Sequence, residues 1–456
     1  MNPFLNPITL ARIAKYYLTD IDRVWRLNEE QLEKYREKCF KKVLSKAKKV
    51  PMYRKKYKGI DLDKISLKNI EKLPILTKDD LRKNFPHGIV PEGFNVKKAH
   101  LVSTSGSTGK PTSIYTDFYT IMKALMGFVR ELKEYEISWR KDKISVIADL
   151  TPGSAEEAYL TRTAVPTLKP LFSLKNMQFL HVGEDVEKMI EKIDKFKPKF
   201  IGGYPGVLRA LAVLKRKGYG KNIEPEVIAS SGAVLDEYTK KYIEEAFGAK
   251  IYDVYGSTEA GPIAFECKQG NYHLHYDMVH VEILNDNFEP VEYGEAGQIV
   301  VTKLYGNATP IIRYNGMNDY IIPLKKKCNC GINTPLIGKI AGRKADSIIL
   351  PSGKIIPPSS ITGIPAKVME ELNTKKILQF QILQKSVDRV EVLVVIDEEQ
   401  RDKEPSLDIL FKKLKEKFEE RFKGEIEVEI KEVKEIKGSE GLATPPPVVT
   451  SMVRVS

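Results

Sequence analysis

Residues 29–50, EEQLEKYREKCFKKVLSKAKKV, set apolar side chains at helical spacing between charges, which predicts an amphipathic helix ended by Pro51. In 67–86, LKNIEKLPILTKDDLRKNFP, Thr77 is placed to cap a helix whose first turn carries Asp79 and Asp80. From 100 to about 260, short apolar runs alternate with helical stretches. ISVIADL (144–150), KFIGGY (199–204) and EVIASSG (226–232) read as strands, with helices near 186–196, 205–217 and 236–247. That alternation predicts an α/β sheet wrapped by helices.

The pattern then changes. Over 279–322, VHVEILN, QIVVTKL and IIRY read as paired strands separated by polar turns, so a β-rich part is expected there. After Arg343, LPSGKIIPP (350–358) is a hairpin or loop. QFQILQ, VEVLVVI, a charged helix at 406–423 and IEVEIKEV follow, which together make a small α+β domain. The boundary falls at about 340–346. TPPPVV (444–449) is stiff and extended.

Charge and composition exclude several classes of function. The net charge of +13 comes mostly from lysines scattered along amphipathic helices, and no basic block interleaves with aromatics, so nucleic acid is not the expected partner. The longest apolar run, VEVLVVI, is far below the ~18 residues of a membrane span. The N-terminal stretch lacks the basic, apolar and small-residue order of a secretory signal. Four unevenly spaced cysteines make no disulfide framework, and the chain reads as cytoplasmic.

The segment 101–111, LVSTSGSTGKP, places seven Ser, Thr or Gly residues in a row before Lys110. Successive N–H groups, hydroxyls and an ammonium suit a phosphate. It is not a P-loop: the glycines are too close, Pro111 stands where that loop needs Ser or Thr, and strand-like SIYTD follows.

Ser103–Pro111 resembles the phosphate loop of the adenylate-forming (acyl- and aryl-CoA synthetase) superfamily. VPMYRKKY, KLPILTKDDLRKNFPHGI, SSGAVLDE, DVYGSTEAGPIAFEC, GEAGQIVVT, IIRYNGMND and GRKADSIILPSGKIIPP occur in the order of its phenylacetate–CoA ligase branch, which also holds coenzyme F390 synthetase-like proteins. The resemblance covers about residues 30–430 and implies a fold and a site. The fold is α/β, a large multi-subdomain N-terminal domain of adenylate-forming enzymes (1–342) plus a small mobile α+β C-terminal domain (343–456).

By the same resemblance, Ser103, Thr104, Ser105, Gly106, Ser107, Thr108, Gly109 and Lys110 clamp the phosphates of ATP. Ser231, Gly232 and Ala233 line the adenine pocket, and Tyr255 lies against the base, followed by Gly256 and Ser257. Thr258 contacts the α-phosphate or the acid, Glu259 holds Mg2+, Asp319 binds the ribose hydroxyls, and Arg343 lies near the ribose at the hinge. The hinge is atypical, because Ala345 stands where the family often has an acidic residue.

Cys267, His273, Cys328 and Cys330 make a Cys3His set suited to structural zinc, within a β-rich part of about 262–335. His275 is an alternative to His273, since HLH on a strand puts both on one face. Cys39, on the amphipathic helix, reads as a small buried apolar residue.

One position departs from the pattern. The family's C-terminal lysine, which stabilises charge in adenylation, falls in GSEGLATPPP, where Leu442 stands; Lys437 is the last lysine. The expected function is an ATP-dependent carboxylic, aryl-type acid ligase that forms an acyl-adenylate and then an acyl-CoA thioester. The alternatives are a nucleotidyl transferase of the F390 synthetase type and a catalytically impaired ATP- or acyl-adenylate-binding protein. The implied partners are a small carboxylic acid, the nucleotide and coenzyme A, with no nucleic acid and no membrane; a homodimer, common in the family, is allowed.

Overall fold

The structure, a computed structural model, describes residues 7–104, 111–169, 173–338, 340, 342–343, 347–356, 358–436 and 448–453. A nine-stranded sheet forms its centre. Its order is Pro323–Leu324, Leu336–Ile337, Tyr272–Leu274, Gly261–Glu266, Lys250–Ser257, Val227–Ser231, Phe200–Gly203, Ile144–Ala148 and Met177–His181. The last five in that order run parallel, and the rest are antiparallel. Helices Val186–Phe196, Pro205–Arg216 and Glu237–Phe247 connect the parallel strands, as the alternation predicted. Phe200–Gly203 is buried at every position, as a parallel strand covered on both faces must be.

The expected β-rich part divides in two. Gly261–Glu266 and Tyr272–Leu274 extend the central sheet instead of forming one of their own. Val279–Leu284, Gly297–Lys303, Asp319–Ile321 and Gly342–Arg343 make a separate four-stranded sheet. The strand expected at IIRY is absent: Tyr314 makes only isolated bridges, to Leu76 and Val301. Arg313 there has φ of 51°, outside the range of an extended strand, and its buried guanidinium pairs with Glu282 at 2.8 Å.

Toward the N-terminus, Glu29–Ala47 is helical and buries Leu32, Phe40, Val43 and Leu44. Thr77 caps Lys78–Asn84 by accepting from Asp80 N, as expected. Cys39 packs partly buried against the main core.

Residues 348–428 and Val449 bury apolar side chains in a cluster of their own. Its strands are Ile377–Ser386, Arg389–Ile396, Glu427–Glu432 and Val449–Ser451, with the helix Leu407–Arg421 behind them. Among the described residues no helix is long and apolar enough to cross a membrane.

Candidate functional site

Strands Ile144–Ala148, Phe200–Gly203, Val227–Ser231 and Lys250–Ser257 are parallel neighbours, so their C-terminal ends share one edge of the sheet. Ligands of open α/β sheets bind along such edges. The sequence motifs fall there: Ser231–Ala233 follows one strand, and Ser257–Gly261 follows the next. Ser231 pairs in register with Val254, beside Tyr255. Gly232 and Ala233 are exposed, while Ser231 and Thr258 are half-buried.

Tyr255 donates its hydroxyl to Asp319 Oδ2 at 2.6 Å. Asp319 faces Arg343 across an antiparallel pair, so three residues remote in sequence meet. Of Arg343 only the backbone is described.

The turn after Lys250–Ser257 is held from several sides. Ser257 Oγ accepts from Ala260 N at 3.0 Å, so that hydroxyl closes the turn. Glu259 is 4% exposed, and its Oε1 accepts from the Tyr314 hydroxyl at 2.6 Å. Lys303 Nζ donates to the Glu259 carbonyl at 2.8 Å. Burial pulls the Lys303 ammonium down to about 8, against the opposing pull of Asp117 and Glu259.

The stems of the phosphate-type loop form a hairpin, Ala99–Ser103 with Ser113–Asp117. Ser103 and Ser113 hydroxyls meet at 2.7 Å, and Thr104 Oγ1 accepts from Thr112 N at 3.0 Å. Ser103 and Thr104 therefore tie the stems together. Ser105, Gly106, Ser107, Thr108, Gly109 and Lys110 lie outside the described residues, as do Ala345, Lys437 and Leu442.

Tyr314, Lys303 and Glu156 escaped the sequence reading. Tyr204 donates to both Glu156 carboxylate oxygens at 3.0 Å, and Asp149 N also donates to that carboxylate. Burial pushes the Glu156 carboxyl up to about 7. Gly232 has φ of +83°, and a Cβ there would come within 2.4 Å of the Tyr204 ring, so this pair abuts the SSGA segment. A lysine closing the apolar run QIVVTK was a visible signal for Lys303; Glu156 gave none.

The Cys/His residues converge elsewhere. Ligand atoms of Cys267, His273, Cys328 and Cys330 all lie within 4.8 Å of one another. Cys267 and Cys328 sulfurs are 3.8 Å apart, and a tetrahedron with Zn–S of about 2.3 Å has edges of about 3.8 Å. His273 Nε2 faces Cys330 Sγ at 3.2 Å, while its Nδ1 lies 3.2 Å from the Thr334 hydroxyl. Burial pulls the His273 imidazole down to about 4, which leaves the neutral ring a metal requires. The donor set fits zinc. His275, the alternative ligand, is engaged by Glu131 and Arg130 and stands apart from the cluster.

Residues 99–305 match the AMP-binding enzyme family. The chain is 25% identical to Protein CapK of Staphylococcus aureus, over 90% of this chain and 87% of that protein. It is 28% identical to a phenylacetate–coenzyme A ligase of Thermus thermophilus, over 73% of this chain and 74% of the other. Its fold matches a 2-hydroxyisobutyryl-CoA ligase in the post-adenylation state with a TM-score of 0.75, at 20% identity, over 91% of this chain and 88% of that one. With its nucleotide-type motifs gathered along one sheet edge, the chain carries a match to the AMP-binding enzyme family over residues 99–305 and has the fold of an acyl-CoA ligase.

Proposed function

We propose that this protein is an ATP-dependent ligase that activates a carboxylic acid as its acyl-adenylate and passes the acyl group to coenzyme A. The observation that carries the reading is the convergence at the end of Lys250–Ser257: Tyr255 bonded to Asp319, Asp319 opposite Arg343, and Glu259 in the adjoining turn. The matched AMP-binding domain and the relatives named phenylacetate–coenzyme A ligase support it.

In this reading Tyr255 lies against adenine beside Ser231, Gly232 and Ala233. Asp319 accepts the ribose hydroxyls, its orientation fixed by the Tyr255 hydroxyl, with Arg343 alongside. Glu259 would hold Mg2+, which supplies neutralising charge to the phosphates when bound. The Ser103–Lys110 loop cradles the β- and γ-phosphates, and Thr258 meets the α-phosphate or the acid.

A carboxylate oxygen then bonds to the α-phosphorus as pyrophosphate leaves. The thiol sulfur next bonds to the acyl carbon, and AMP leaves. Both steps bring anionic groups together, so the protein contributes chiefly positioning and charge stabilisation. We take the acid to be aryl or otherwise bulky, 343–456 to be a mobile unit hinged on 1–342, and the enzyme to be cytoplasmic.

One observation favours a second reading. Leu442 stands where the family places its adenylation lysine, which suits a homologue that binds ATP or acyl-adenylate with impaired turnover. The test is pyrophosphate release from ATP and Mg2+ over a panel of aryl acids, with and without coenzyme A. Thioester formation supports the ligase; acid-dependent pyrophosphate without thioester points to transfer to another acceptor. Tight ATP binding without release on any acid supports the impaired homologue. A Thr108→Ala, Lys110→Ala double variant that keeps ATP affinity and turnover would remove the loop from the mechanism.

A further inference from the structure

We infer that Tyr314 is a positioning residue for Glu259, aiming its carboxylate at the divalent cation that accompanies the nucleotide. The inference rests on the ligase reading, which gives Glu259 its cation, and adds a residue to which the sequence motifs assigned no role.

The geometry is buried and specific. Tyr314 is 0% exposed, and its hydroxyl donates to Glu259 Oε1 at 2.6 Å. Among the described residues the contact to that carboxylate is the Tyr314 hydroxyl; the nearby ammonium of Lys303 bonds instead to the Glu259 carbonyl, at 2.8 Å. A carboxylate matched by one neutral donor and by no basic side chain has capacity for another cation. Occupying one oxygen also fixes the direction of the other.

Tyr314 is itself held firmly. Its backbone N–H and carbonyl both pair with Val301, at 2.9 Å each. The hydroxyl end of its ring lies over Gly316, where a Cβ would come within 2.3 Å of Cζ and of the hydroxyl oxygen. That contact explains the glycine of the YNG triplet, which the nucleotide roles left unexplained. Lys303 and Tyr305 meanwhile hold the main chain of the turn, at the Glu259 and Ala260 carbonyls. Backbone and carboxylate are thus fixed by separate groups, so one can be disturbed without the other.

Groups that orient a metal ligand are typically worth about 10–100-fold in metal affinity. Tyr314→Phe deletes only the hydroxyl. With Mn2+ as the probe, electron paramagnetic resonance titration in the presence of ATP should show Mn2+ affinity weakened about 10–100-fold. ATP affinity in excess chelator and the melting temperature should stay near wild type. Gly316→Ala, which displaces the ring, should weaken Mn2+ in the same direction. Adding Tyr314→Phe to Glu259→Gln should cause no further loss, because both act through one carboxylate.

Mn2+ affinity of Tyr314→Phe within about twofold of wild type would overturn the inference, since an orienting group should cost far more. Equal loss of metal-free ATP affinity would overturn it too, by showing a general structural role. If wild-type protein binds no Mn2+ with ATP, the ligase reading and this inference fall together. If wild type releases acid-dependent pyrophosphate while Tyr314→Phe binds Mn2+ normally, only the inference falls.

Discussion

The two places proposed here for a metal are built on opposite plans. At one, three sulfurs and an imidazole from distant parts of the chain converge within 4.8 Å, enough donors to close a tetrahedron. At the other, a single carboxylate, Glu259, is oriented by Tyr314 on a turn at the edge of a parallel sheet. A closed set of soft donors leaves no position for substrate, so its metal can only brace the fold. One oriented carboxylate cannot hold a cation alone, so its metal must arrive with phosphate oxygens. The difference teaches what each should do when broken: the first should lose structure, the second should lose chemistry.

The largest effect should follow metal removal at the Cys3His site. The CNCG loop is tied to the N-terminal segment, with Asn333 N donating to Val24 O at 2.9 Å and Cys267 packed against Val24 and Phe265. Binding of structural zinc is worth on the order of 10 kcal/mol in small zinc domains. Cys328→Ser with Cys330→Ser should abolish zinc content, lower the melting temperature and change the fluorescence of Trp25, which flanks the loop. Metal analysis of protein purified without chelators checks the premise, and zinc near zero in wild type would end it.

Next in size is Glu259→Gln, which keeps the side chain's shape and removes its charge. Loss of a preorganised electrostatic contact typically lowers turnover about 10²–10³-fold. Acid-dependent pyrophosphate release should fall by that factor while the melting temperature barely moves. A large drop in melting temperature would erase the contrast with the cysteine site.

The two sites were unequally legible in the sequence. Four Cys and His residues in two close pairs announce a metal whatever the fold, and the fold had only to bring the pairs together. His273 reads first from the sequence, with His275 left as the alternative because both fall on one face of the same strand; the guanidinium of Arg130 and the carboxyl of Glu131 engage the second. The carboxylate site was legible only through its motif, which gave Glu259 but not Tyr314, 55 residues away. Local pattern also failed at Gly261–Glu266: almost every position is buried, so no alternation marked it as a continuation of the central sheet. At IIRY the apolar run looked like a strand. Arg313 breaks it by turning its guanidinium inward to Glu282 and the Glu71 and Leu73 carbonyls, a buried network that hydrophobic pattern cannot foresee.

Between these extremes lies the contact joining the C-terminal cluster to the parallel sheet's helices. Arg209 Nε donates to Leu378 O at 2.6 Å, and its guanidinium stacks over Tyr238 and Tyr242. Tyr238 donates to the neighbouring Ile377 carbonyl at 2.5 Å. Hydrogen bonds to a charged group are each worth about 1.5–3 kcal/mol. Arg209→Ala should therefore loosen 377–386, seen as faster amide exchange there, while zinc content and Mn2+ affinity stay unchanged. Unchanged exchange would mean that the Tyr238 hydrogen bond and apolar packing hold the strand without Arg209.

The smallest effect concerns the buried polar layer behind His275, and it separates two carboxyls that look alike. Asp277 is buried, yet Arg130, Lys123 and Arg23 overcome the burial and hold its carboxyl far below the usual range. Glu131 has Arg130 nearby as well, but burial wins and pushes its carboxyl up to about 8. Burial likewise keeps His275 neutral, so Glu131 and His275 share a hydrogen bond of 3.0 Å between uncharged groups near neutrality. A carboxyl with a raised folded pKa binds its proton more tightly folded than unfolded. Its stabilising contribution is full below the unfolded value near 4.5 and is lost as pH rises toward about 8. Asp277 works the other way, and its contribution is lost only in strong acid. Glu131→Gln should thus flatten the fall of stability between pH 5 and 8, by at most about 1.4 kcal/mol per pH unit for one proton. Glu156 and Asp253, both raised to about 7, keep their share of the slope in the variant. Denaturant unfolding at stepped pH checks this, and parallel curves for variant and wild type would mean that Glu131 is already charged at neutrality.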